Sequence, residues 1–140
     1  MLKKSITIII PCFNEQENLK KLLERLNDVT GEINGLEFTY LFVDDGSIDN
    51  GFEMIKQFCR ENKTIKAIQL SRNFGSHLAI TAGIEYSLDS DAVIVISADL
   101  QEPPELISEL IKKWKQGYEV VWTIREKRAQ PFIGRLLSIT

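Results

Sequence analysis

Two apolar periodicities that alternate strictly along the chain constrain its fold more than any other feature. Short runs rich in Ile, Val and Phe at residues 6–10, 38–43, 66–70, 92–96 and 119–124 read as strands. Between them, apolar residues recur at helical spacing. The first such segment carries Leu19, Leu22, Leu23 and Leu26, with Asn14 and Glu17 placed as a capping box. The second starts at Asp49 and turns Phe52, Ile55, Phe58 and Cys59 inward. The third carries Leu78, Ala79, Ala82 and Gly83, whose mostly small side chains permit close approach to a sheet. The fourth, over 104–116, buries Leu106, Ile107, Leu110, Ile111 and Trp114. Strands and helices joined in turn by short links predict an α/β fold, a mostly parallel sheet with helices on both faces. Residues 131–140 read as a further amphipathic segment.

Charge and cysteine usage narrow the function. A net charge of −3 argues against a general nucleic-acid binder, which would carry a basic excess. Cys12 and Cys59 have neither metal-ligand spacing nor a disulfide-rich context, and read as small buried hydrophobes in a reducing compartment. The basic, apolar start is too short for a signal peptide and meets Pro11 and Asn14-Glu15, so it reads as a strand. No stretch approaches the roughly 20 apolar residues of a membrane-spanning helix.

The chemistry concentrates after the run at 92–96, which reads as an inner strand buried on both faces. There the sequence turns polar at Ser97, Asp99, Gln101 and Glu102, and Pro103-Pro104 then suit the first turn of a helix. Ligands of open α/β sheets bind at such strand ends, and hard oxygen donors hold Mg²⁺ or Mn²⁺ against phosphate. Polar sets recur after the other strands: Asn14-Glu15, Asp44-Asp45, Ser71-Arg72-Asn73 and Arg125. Any one set alone reads best as a cap or turn. Five sets on one sheet edge suit a nucleoside diphosphate, with acids toward base, ribose and metal and arginines toward phosphate. Neither the GxGxxG fingerprint nor a Walker loop is present.

The segments Pro11-Cys12-Phe13-Asn14-Glu15, Val43-Asp44-Asp45-Gly46-Ser47, Ser71-Arg72-Asn73-Phe74-Gly75 and Ser97-Ala98-Asp99-Leu100-Gln101-Glu102-Pro103-Pro104-Glu105 resemble, in order, the motifs of family 2 glycosyltransferases. The likeness is closest to the branch of dolichol-phosphate mannose synthase and the bacterial polyprenyl-phosphate transferases. It implies a GT-A fold and inverting transfer of a sugar from a nucleotide-sugar donor of UDP or GDP type. It also implies that Pro11, Phe13 and Glu15 line the nucleotide pocket and that Val43 and Asp45 hold base and ribose. Asp44 would support that loop, and Arg72 and Ala98 would join the nucleotide site. Asp99 and Gln101, with Ser97, match the metal motif, so that a divalent ion bridges the donor diphosphate. Asp99 and Arg125 would serve catalysis, and Arg135 and Ser138 match an acceptor-phosphate site.

One departure stands out: Ser97 occupies a position that is usually aspartate, so the metal site carries one negative charge less. An ionised lipid phosphate is already a nucleophile and needs no general base, whereas a hydroxyl acceptor needs one, and none is evident here. That favours polyprenyl phosphate as the acceptor and the cytoplasmic face of the cell membrane as the place, in cell-wall or lipopolysaccharide biogenesis. On this reading residues 1–125 form the donor-binding domain and 126–140 begin the acceptor and membrane-proximal part, with membrane contact beyond residue 140. Two alternatives stay open: a family 2 transferase acting on a saccharide hydroxyl, and a nucleotide-sugar-binding module that does not turn over. A homo-oligomer also stays open. The basic run from Arg125 to Arg128 reads equally as a solvated loop and as a surface for anionic lipid or the acceptor phosphate. His77, the only histidine, reads as solvent-facing or at a pocket rim rather than catalytic.

Overall fold

A computed structural model describes residues 2–124 and 135–139. In chain order its elements are β1 (Lys4–Cys12), α1 (Gln16–Gly31), β2 (Leu36–Asp44), α2 (Gly51–Glu61), β3 (Ile65–Gln69), α3 (Ser76–Glu85), β4 (Ala92–Val95), α4 (Leu106–Lys115), β5 (Val120–Ile124) and β6 (Arg135–Ile139). They fall into two compact units, Met1–Pro104 and Glu105–Thr140.

In the first unit four parallel strands lie in the order β3-β2-β1-β4. β1 is central, and Ile6, Ile8, Ile9 and Ile10 are all buried. Side chains alternate across the pleat, so the register Ile8↔Tyr40 and Ile10↔Phe42 builds one face, and Ile9↔Leu41 and Pro11↔Val43 the other. On the first face the α1 residue Thr30 shares a 2.7 Å hydrogen bond with the Tyr40 hydroxyl, and the α2 ring of Phe58 lies 6.1 Å from that of Phe42. On the second face the α3 residue Ala79 packs with Ile9, Leu41 and Val43. The expected sheet with helices on both faces is present.

α3 approaches closely because Gly83 has no side chain. A Cβ there would lie 2.5 Å from Ile9 Cγ2 and 3.3 Å from Val43 Cγ2. Both methyls belong to fully buried β-branched residues with no spare rotamer. Gly83→Ala is therefore expected to destabilise the fold by about 1–3 kcal/mol through overpacking, against a helix-propensity gain of about 1 kcal/mol. Urea unfolding of the two chains checks this.

Three expectations need correction. β4 is an edge strand of the described sheet, pairing with β1, and it is not buried on both faces: Val93 and Val95 are 39% and 38% exposed while Ile94 and Ile96 are buried. An unbroken run of β-branched residues reports strand preference as much as burial. β5 does not join that sheet but pairs antiparallel with β6 in the second unit, with Val120↔Ile139 and Ile124↔Arg135 in register. Periodicity identifies a strand without naming its partner. Four strand ends therefore share one edge, and the amphipathic segment at 131–140 is a strand over Arg135–Ile139, with 131–134 outside the described residues. Lastly, Asn14 does not cap α1. It has a left-handed φ of 53°, and its Oδ1 accepts the Ile48 N–H at 2.9 Å.

Candidate functional site

The strand order makes β1 a switch point: the chain passes from β1 to β2 on one side, and β4 is added on the other. In parallel sheets the loops diverge there and leave a crevice at the carboxyl edge. The loops after β1, β2, β3 and β4 carry the polar sets.

The first two loops are tied through side chains. Asp44 is 1% exposed, and its carboxylate accepts the Ser47 N–H at 3.1 Å and the Ser47 hydroxyl at 2.5 Å. The Ser47 Oγ in turn accepts the Asn14 N–H at 2.9 Å. The Gln16 N–H at the start of α1 donates to Asp49 Oδ2 at 3.1 Å, and the Asn50 N–H donates to Gln16 Oε1 at 2.8 Å. So α1 is capped from the neighbouring loop, not by its own sequence. Glu15 is half-buried with Oε2 accepting from Asn18 Nδ2 at 2.7 Å, while Pro11 is half-buried and Phe13 exposed. These bonds fix the loop that carries Phe13 and Glu15 at the strand end.

The second and third loops are joined by Asp45, which is 4% exposed. Its Oδ1 accepts the Phe74 N–H at 2.8 Å and its Oδ2 the Gly75 N–H at 3.1 Å. Val43 is fully buried in the α3 face of the core, and its carbonyl accepts the Cys12 thiol at 3.6 Å. Arg72 is exposed with its guanidinium 4.1 Å from the centroid of the Phe74 ring, a cation–π contact.

After β4, Ile96 still pairs with Ile9, and Ala98 is buried. Ser97 and Asp99 are half-buried and Gln101 is exposed. Asp99 Oδ1 accepts the Gln101 N–H at 3.0 Å, and Leu100 between them has a left-handed φ of 62°. Ser97, Asp99 and Gln101 thus follow one another along this turn. Among the described residues no three His, Cys, Asp or Glu side chains group as a metal site. The donors fit a hard ion of the Mg²⁺ or Mn²⁺ kind, which takes one or two carboxylates and fills its remaining positions with phosphate and water. Arg125 lies outside the described residues. Arg135 and Ser138 lie on β6 in the second unit, in register with Ile124 and Val121. His77, in the first turn of α3, is exposed as expected.

Burial pushes the Cys12 thiol pKa well up, and the carboxylates of Asp44, Glu15, Asp49 and Asp45 add to it. Burial also raises Cys59, which is half-buried. Since the folded pKa lies above the unfolded one, the stability Cys12 contributes is complete below the ordinary thiol range and lost as pH rises above it. Alkylation near pH ~8.5, where a free thiol is half ionised, is expected to label Cys59 first and Cys12 only on unfolding. Peptide mapping by mass spectrometry checks the order.

Across residues 7–136 the sequence matches the family model described as glycosyl transferase family 2. The chain belongs to that family. The family 2 match agrees with the motif order at the sheet edge. A Bacillus subtilis (strain 168) protein described as uncharacterized glycosyltransferase YkcC is 43% identical over 122 residues, 87% of this chain. The chain spans 37% of the length of that relative. Among solved structures, the Pyrobaculum calidifontis mannosyltransferase in complex with GDP-Man and Mn²⁺ superposes with a TM-score of 0.65 at 16% identity, over 81% of this chain and 32% of that one. S. aureus TarS 1-349 in complex with UDP gives 0.66 at 19%, over 91% of this chain and 38% of that one. At these identities the likeness concerns the fold, which is GT-A.

Proposed function

We propose that this chain forms the donor side of an inverting glycosyltransferase that moves a hexose from a UDP- or GDP-type nucleotide sugar to a polyprenyl phosphate. The observation that carries the donor half is the gathering of four polar loops at one sheet edge around a switch point, in a family 2 chain. Similar folds hold GDP-Man with Mn²⁺ in one case and UDP in another, so the fold itself leaves the base open.

In this reading Ser97, Asp99 and Gln101 hold the divalent cation. When bound, it supplies positive charge against the charge developing on the departing diphosphate. Pro11, Phe13, Glu15, Val43, Asp44, Asp45, Arg72 and Ala98 form the nucleotide site, as direct contacts or as its support, and Arg125 faces the phosphates. An acceptor oxygen attacks the anomeric carbon as the bond to the diphosphate breaks, which inverts the configuration. An ionised phosphate acceptor gives up no proton in that step. Residues 1–125 serve the donor, residues 126–140 open the acceptor part, and Arg135 and Ser138 meet the acceptor phosphate. Work at the cytoplasmic membrane face follows from a lipid acceptor. Among the described residues no helix is long and apolar enough to cross a membrane.

The acceptor is tested on the longer protein with labelled donor, offering undecaprenyl phosphate beside a saccharide with free hydroxyls. Labelled lipid that releases its sugar in mild acid, as a glycosyl phosphate does, supports the proposal. Label in an acid-stable oligosaccharide overturns it in favour of a hydroxyl acceptor. Donor binding with no transfer to either favours a binding module, the reading that the neutral Ser97 supports.

A further inference from the structure

We infer that the open edge of β4, with the apolar trough between that edge and α3, receives one further β-strand, supplied in the longer protein by sequence outside these 140 residues. This holds independently of the donor-site reading above.

The two edges of the parallel sheet are built differently. At one edge β3 shows Lys66 and Gln69 to solvent, and a lysine on an edge is a common guard against pairing with another strand. At the other edge β4 reads Ala92-Val93-Ile94-Val95, with neither a charge nor a proline to guard it. Backbone groups of β4 alternate in direction. The Ile96 N–H donates to the Ile9 carbonyl at 3.0 Å, in the ladder where Ile9 is in register with Val95. The N–H and C=O groups of Ile94 therefore turn toward β1, and those of Val93 and Val95 turn away from it. Among the described residues no strand lies on that side.

The side chains beside this edge are apolar and open. α3 lies over β1 and β2, with Ala79 against Ile9, Leu41 and Val43. Val93 and Val95 share a face of the pleat with their register partners Thr7 and Ile9, so they stand on the α3 side of the sheet but beyond the helix, 39% and 38% exposed. Residues on a helix are about 100° apart, and α3 returns antiparallel to the strands in a right-handed crossover. That turns Ile80 and Ile84 to the β4 side of Gly83, with Ile80 half-buried and Ile84 40% exposed. Two valines make the floor of the trough and two isoleucines its wall.

The chemistry names the occupant. A row of outward N–H and C=O groups takes an extended backbone, and an apolar trough beside it takes that strand's alternate side chains. The chain covers 37% of the length of the Bacillus subtilis relative, which leaves more than half of such a protein to supply the strand. Once it is added, the loop carrying Ser97 and Asp99 starts from a strand held on both sides.

The test is amide exchange, read residue by residue by NMR, in the 140-residue chain and in the longer protein. The Ile96 amide, bonded to β1, is the internal reference. Val93 and Val95 amides should exchange fast in the 140-residue chain and about a hundredfold or more slower in the longer protein, at low and high protein concentration alike. Unprotected Val93 and Val95 amides in the longer protein would overturn the proposal. So would protection already present in the 140-residue chain at every concentration, because the edge would then be closed without further sequence. Protection that grows with concentration, together with a doubled mass in sedimentation, would assign the edge to a second copy and overturn it equally. Should the 140-residue chain not fold, the longer protein decides alone: Val93 and Val95 must be protected to the level of Ile96, and exchange as fast as that of an exposed loop sinks the proposal.

Discussion

Gly46→Ala is expected to destabilise the chain by about 2–5 kcal/mol, because two penalties add at one atom. A left-handed backbone costs an L-residue roughly 1–2 kcal/mol, and Gly46 has a φ of +78°. The new methyl would also lie 2.5, 2.6 and 2.9 Å from backbone atoms of Arg72 and Asn73. Those atoms cannot swing aside as a side-chain tip can, so relief requires the loop after β3 to move, an overpacking cost of about 1–3 kcal/mol. Against a total stability of about 5–15 kcal/mol this is a large fraction. The melting temperature should fall by roughly 10 °C or more. Gly35→Ala is the control. It has a similar φ of +83° with nothing within 4 Å, so it should show the backbone penalty alone. Equal melting shifts in the two variants would mean that the contact between the two loops carries no weight.

Asp99→Ala is expected to remove metal-dependent nucleotide binding while leaving the fold intact. Asp99 supplies the carboxylate of a motif whose other members, Ser97 and Gln101, are neutral. Its loss leaves no negative side chain among the three to attract a dication, and a bound ion usually carries the largest local charge of such a site. The side chain is half-buried, and the interaction it makes within the fold is one bond to the Gln101 N–H in a surface turn. Stability should drop by only about 1 kcal/mol. Affinity measured in Mn²⁺ should fall about a hundredfold, the effect found when one member of a metal site is disturbed. Unchanged affinity would move the metal elsewhere or remove it from the account.

What could be read from the sequence was local. The periods of Leu19, Leu22 and Leu26, and of Ile55 and Phe58, fixed helices whose inner residues are buried or half-buried as expected. Gly83 signalled the close approach of α3, and the polar residues after the parallel strands fall at the carboxyl edge of the sheet. What could not be read was pairing across distance. Nothing local in Glu119-Val120-Val121 says that β5 turns to β6 and leaves the parallel sheet. The exposure of Val93 and Val95 depends on which strands lie beside β4. The site shows the same limit. Asp44 and Asp45 stood out as ligand-type acids, yet their partners, Ser47 in one case and the Phe74 and Gly75 amides in the other, are set by the fold. Ser47 reads in the sequence only as part of a motif run and Asp49 only as the start of the second helix, although Asp-Gly-Ser-x-Asp after a strand is rich in side chains that bond nearby backbone. The capping box at Asn14 and Glu17 failed because Asp49 reached the start of α1 from the adjacent loop.

The central claim is that this sheet edge binds a nucleotide through a divalent ion. Calorimetric titration of the chain with UDP, UDP-glucose, GDP and GDP-mannose, each with Mn²⁺ and again with EDTA, tests it most directly. The account predicts saturable binding of one base that disappears in EDTA. Binding indifferent to EDTA would contradict the metal, and no binding of any of the four would contradict the donor site itself.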